Sequence, residues 1–218
     1  MFKAILYTQW KWARLPLLLM CFAGFALPLF SARSIDPAIG DPWLIRDMLT
    51  DLQSWGLVYP LLAGAVGLVL ALISWSADHQ GKHIYALSLP IPRWNYALLR
   101  FGAGALLLLI PVIALWLGAL TATMATTLPS SLRAYPTILA LRFGLAAFVA
   151  YAIFFAISAG TNKTAGYILG AIGGVVAAQL LLDGFGWNVQ LVQPLLLHLV
   201  LWPGPFEIFT GRWMLFDV

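Results

Sequence analysis

The chain has 218 residues, of which 62% are hydrophobic and only 9% charged, with a formal net charge of +4. A soluble domain carries roughly 25% charged residues, so a water-soluble globule of this composition is excluded. The basic residues are scattered, without a Lys/Arg run or a basic-aromatic stripe, which argues against a nucleic-acid partner. The single Cys21 excludes a disulfide framework and a Cys-based metal site.

Uncharged stretches such as Leu57–Ser74 and Phe101–Leu120 are each about long enough to cross a hydrocarbon core of ~30 Å. A bilayer offers backbone groups no partner outside their own segment, so these stretches are expected to be helices. The fold class is therefore all-α integral membrane protein, a single transmembrane domain with five to six spans. Residues 1–14 read as an interfacial amphipathic helix: Phe2, Ile5, Leu6, Trp10 and Ala13 recur at helical spacing, and Lys3, Lys11 and Arg14 add positive charge. Pro16 marks an expected bend into the first span, 15–34. Phe30-Ser31-Ala32 is a poor cleavage site, so that span reads as uncleaved.

A polar loop over 35–54 leads to a second span at 55–75. A second polar segment, 76–95, leads to a third span at 96–120, and the fourth and fifth follow at 136–159 and 165–182. Residues 191–202 form an apolar stretch interrupted by Pro194 and stopped by Pro203 and Pro205, expected as a re-entrant segment or a short last span. With the N-terminus placed inside, Lys3, Lys11, Arg14, Lys82, Arg93, Arg100 and Lys163 fall on the inner side. The outer side receives Arg33, Arg46, Arg133 and Arg212, with Arg142 just inside a span. Trp10, Trp12, Trp75 and Trp94 are expected in an inner interfacial belt, and Trp43, Trp55, Trp116 and Trp187 in an outer one.

The inner segment between the second and third spans is the most informative stretch. Gly81 breaks the descending span, and Lys82–Leu89 contains no Gly or Pro and is long enough for about two helical turns. Ile84 and Leu87 share a face, and Pro90 and Pro92 stop the helix before Arg93 and Trp94. The expectation is a short stiff helix at 82–89 lying on the cytoplasmic surface. In sequence this stretch resembles the cytoplasmic loop of ABC type-2 transporter permeases. That family's pattern is an acidic cluster, a Gly, an amphipathic helix with a Leu six residues on, and a Pro-hydrophobic-Ser/Pro-Arg ending. This chain offers Asp78, Gly81, Leu87, Pro90, Ile91, Pro92 and Arg93 in matching register.

The resemblance implies a permease subunit of an ATP-driven exporter in a bacterial inner membrane. Residues 82–89 would be its coupling helix, with Asp78, Gly81, Ile84, Tyr85, Leu87, Pro90 and Arg93 coupling to a separate ATPase subunit. The chain has no G-x-x-x-x-G-K-[ST] phosphate cradle, so ATP and Mg would be held by that partner and this chain would not be an enzyme. A second permease copy or a related permease, and membrane lipid, complete the implied partners.

Gly166, Gly170 and Gly174 recur every fourth residue on the fifth span, a small-residue face that suits helix packing within the subunit or a mobile or dimer-facing seam. Arg142 lies about two turns into the fourth span, where a charge must snorkel, pair with Asp183 or Glu207, or meet an anionic substrate. His79, His83 and His198 lack an acidic or thiol partner at ligand spacing, so no metal site is expected. No nucleophile elbow or triad signature appears, so no catalytic residue is assigned. Two readings from other classes remain: a membrane-embedded lipid-modifying enzyme, for which Arg142, Asp183 and His198 are the only available polar set, and a membrane scaffold protein.

Overall fold

A computed structural model of the chain describes residues 1–33, 56–80, 92–126, 132–159, 204, 206–211 and 213–217, together with isolated residues between 167 and 197. The main elements are α1 (Phe2–Ala32), α2 (Val58–Gln80), α3 (Arg93–Ala125), β1 (Arg133–Ala134), α4 (Pro136–Ala159), a 3-10 turn (Glu207–Phe209) and β2 (Phe216–Asp217). At 1.5 Å per residue the four helices are about 35–50 Å long, more than a ~30 Å hydrocarbon core requires. Among the described residues, all four are long and apolar enough to cross a membrane.

The local sequence explains three of the helix ends. Pro136 opens α4 at the position where its missing N–H costs nothing. Pro92 caps α3 with extended backbone, and its carbonyl accepts from Tyr96 N at 3.2 Å. Thr126 leaves helical geometry (φ −106°, ψ 131°) and ends α3. The fourth span thus keeps its expected bounds. The second and third run further than the sequence suggested, because α2 continues to Gln80 and α3 starts at Arg93.

The bend expected at Pro16 is corrected. Residues 2–32 form one continuous helix with Pro16 and Pro28 inside it, so no separate interfacial helix is present at 1–14. A single face explains this: Gln9, Ala13, Leu17, Gly24, Pro28 and Ser31 are all buried, and they form one stripe that continues past the proline. That stripe docks on α3 both before Pro16, where Gln9 Nε2 donates to the Arg100 carbonyl at 3.2 Å, and after it, where Gly24 lies beside Pro111 and Leu115. Packing along its whole length holds the helix together where local propensity alone would break it.

The contacts fix the directions. Ser31 meets Tyr59, Asp78 meets Arg100 and Trp116 meets Thr137, so successive helices alternate in direction. As a result α1 runs parallel to α3, and α2 runs parallel to α4. The N-terminus, the C-terminal end of α2, the start of α3 and the C-terminal end of α4 therefore share one end of the bundle, called here the near end. At the far end β1 pairs antiparallel with β2, in the register Arg133 to Asp217 and Ala134 to Phe216.

Without a hydrophobic drive between helices in lipid, close van der Waals fit decides the packing. α2 approaches α4 closely at Gly67, where an added Cβ would lie 2.6 Å from Ala147 O, Ala150 Cβ and Tyr151 N. At Gly24 the same atom would sit at 3.4–3.7 Å, ordinary contact distance. Gly67→Ala is therefore expected to destabilise the bundle by about 1–3 kcal/mol, the usual cost of overpacking. Gly24→Ala is expected to be nearly neutral. Thermal unfolding of the two variants in the same detergent checks the contrast.

Candidate functional site: a buried charged network at the near end

Two helices bring charge together in an apolar setting. Asp78, in the last turn of α2, is 3% exposed, and Arg100, in the second turn of α3, is 5% exposed. Arg100 Nη2 lies 2.9 Å from Asp78 Oδ1. Tyr96, one turn before Arg100 on the same face of α3, places its hydroxyl 3.1 Å from both Asp78 oxygens. Arg100 Nη1 donates to the Ser74 carbonyl, one turn before Asp78. The guanidinium also lies 5.4 Å from the Trp75 ring centroid and 5.0 Å from that of Tyr96. Two opposite charges, a phenol and two aromatic faces thus compensate one another where water is absent.

Neutral hydrogen bonds extend the network to the other helices. From α1, Gln9 donates to the Arg100 carbonyl. From α4, the Tyr151 hydroxyl donates to the Phe101 carbonyl at 3.1 Å and lies 3.4 Å from Ser74 Oγ, while Ser74 Oγ donates to the Leu70 carbonyl at 2.8 Å. Trp75 Nε1 donates to the Phe155 carbonyl at 3.2 Å. Phe101 stacks on Tyr151 at 5.2 Å and meets Phe155 edge-on at 5.3 Å. Among the described residues, Gln9 Oε1 and Arg100 Nε are buried without a hydrogen-bond partner.

Several expectations change here. Asp78, expected to face an ATPase from a polar segment, is turned inward and engaged by Arg100 and Tyr96, because α2 continues past Trp75 and carries the carboxylate into the bundle. Trp75, expected in the inner belt, is buried against α4. Trp10, Trp12, Trp94 and Trp116 are exposed, as belt residues would be. Arg93 is exposed at the start of α3. Gly81, Ile84, Tyr85, Leu87 and Pro90, with the whole of the expected helix at 82–89, lie outside the described residues. Gly166 does too, as do Asp183, His198 and most of 165–182 and 191–202. A Cβ at Gly170 or Gly174 would meet no described neighbour within 4 Å.

Arg100 and Tyr96 did not stand out in the sequence. The available signal was an Asp near the end of one apolar helix and an Arg near the start of the next, a placement from which an intramembrane pair follows once α2 and α3 are antiparallel.

Arg142 belongs to the far end. Its Nε donates to the Ile208 carbonyl at 3.3 Å, its Nη2 donates to the Thr210 carbonyl, and its guanidinium lies 4.9 Å from the Trp213 ring centroid. Among the described residues, the charge is solvated by backbone carbonyls and an indole face. Among the described residues, no three His, Cys, Asp or Glu side chains come together in a way that could hold a metal ion. In the near-end network the carboxylate is already neutralised by its cation and no nucleophile–base pair is present, so the arrangement is suited to bracing helices. Comparison with known proteins identifies no matching family model, curated protein or solved structure.

Removing one partner of a buried ion pair leaves the other charge uncompensated, which typically costs about 3–5 kcal/mol. Arg100→Leu is therefore expected to destabilise strongly. The double variant Arg100→Leu/Asp78→Leu should recover most of the loss, because an apolar pair needs no compensation. Denaturation of both variants in one detergent, followed by tryptophan fluorescence, tests the cycle, and equal destabilisation of the two would show that the charges do not depend on each other.

Proposed function

We propose that this chain is the permease subunit of an ATP-binding-cassette exporter, with five to six spans, residing in a bacterial inner membrane with its N-terminus in the cytoplasm. The observation that carries this reading is the buried Asp78–Arg100–Tyr96 brace. It ties the C-terminal end of α2 to the start of α3, the two points between which the permease-like sequence 81–91 is strung. A force on that link would act on both helices as one body, as a coupling helix must to move buried spans. Charge placement is in accord: Lys3, Lys11, Arg93 and Arg100 lie toward the near end, the end facing the cytoplasm under this reading.

In this reading Gly81 and Pro90 bound the lever, and Ile84, Tyr85 and Leu87 meet the ATPase. Asp78 acts as a positioning residue through Arg100 and does not contact the partner itself. ATP and Mg belong to the partner ATPase. A second permease copy, or a related permease, supplies the other wall of the path.

The test is gentle purification of the native chain, followed by identification of bound proteins and by transport assay. A companion ATPase with a phosphate-binding P-loop is expected, and Leu87→Asp should abolish its co-purification and ATP-driven transport while leaving membrane insertion intact. Isolation of an intact complex without any ATPase, or full transport and co-purification by the Leu87→Asp variant, would overturn the assignment.

A further inference from the structure

The far end is closed by a segment that does not belong to any of the four long helices. Residues 206–211 and 213–217 cross from α2 to α4: Phe209 reaches the position beside Gly64 on α2, while Tyr135 N, just before α4, donates to the Leu215 carbonyl at 2.9 Å. Trp213, Leu215 and Phe216 are all buried, at 2%, 2% and 0% exposure.

Among the described residues, two kinds of polar contact hold this segment beside that burial. One is the short β1–β2 pairing. The other is Arg142, which binds the Ile208 and Thr210 carbonyls and stacks over Trp213. Gly211 takes φ 82°, which glycine adopts freely and an L side chain rarely does, and Arg142 Nη2 lies only 3.1 Å from where a Cβ would stand. One feature opposes closure. Trp213 Nε1 is buried with no hydrogen-bond partner among the described residues, and opening would return that donor to water.

We propose that the described part of 206–217 is a releasable strap across the far ends of α2 and α4, with Arg142 as its latch. Among the described residues, one cation and a two-residue ladder hold the strap's backbone, its Trp213, Leu215 and Phe216 side chains are buried, and the Trp213 N–H stays unsatisfied while the strap is closed. The strap and its latch are independent of the proposed permease role.

Thiol accessibility tests it. In a Cys21→Ala background, Leu215→Cys reports on the strap and Ala119→Cys, a fully buried position on α3, reports on the bundle. Each is labelled in detergent with a water-soluble maleimide, with Arg142 native or changed to Gln. With native Arg142 both thiols should react slowly. Arg142→Gln should speed labelling at position 215 by about tenfold or more, as expected for local opening after loss of a charge-assisted contact, and leave position 119 unchanged. Gly211→Ala, which crowds the latch without removing it, should act in the same direction. Fast labelling at 215 with Arg142 intact, no change on Arg142→Gln, or an equal rise at both positions would each overturn the latch.

Discussion

A charge buried among apolar helices must find an opposite charge, and in this protein the need is met between Asp78 and Arg100. Neither residue can stay ionised alone at 3–5% exposure without a large desolvation penalty. The pair therefore fixes the end of α2 against the start of α3 at a set distance and rotation. Once that is fixed, Tyr96 falls beside the carboxylate, Ser74 presents its carbonyl to the guanidinium, and Trp75 turns its ring to Arg100 and its N–H to Phe155. The aromatic cluster of Phe101, Tyr151 and Phe155 then joins α3 to α4 beside the same site.

The remainder of the bundle is held by fit. Parallel neighbours α1 and α3 meet along one continuous buried stripe, and α2 and α4 approach closely where Gly67 lies against the α4 backbone. In lipid such close approach substitutes for the hydrophobic effect that binds soluble helices. It also explains how α1 tolerates Pro16: the lost hydrogen bond is local, whereas the packing runs the length of the helix.

The two ends solve the burial of charge differently. At the near end a cation is matched by a carboxylate from a second helix. At the far end Arg142 is matched by backbone carbonyls of irregular chain and by the Trp213 ring. The second solution serves both partners, because carbonyls outside regular structure need donors wherever water is scarce. The near end thus joins two long helices directly, whereas the far end joins a long helix to irregular chain.

Composition and the length of the uncharged runs were sufficient to establish helices fit to span a membrane, since the bilayer imposes its thickness and its demand for internal hydrogen bonding on any sequence. Local chemistry likewise placed the start of α4 at Pro136, where a proline needs no donor. The sequence could not show that α1 continues through Pro16, because propensity is a property of neighbours in the chain while the stabilising contacts come from α3. Nor could it show that Asp78 points inward, since a carboxylate near a helix end reads as solvated until Arg100, more than 20 residues away along the chain, is brought beside it. Those outcomes depend on which helix faces meet, and only the packed bundle decides that.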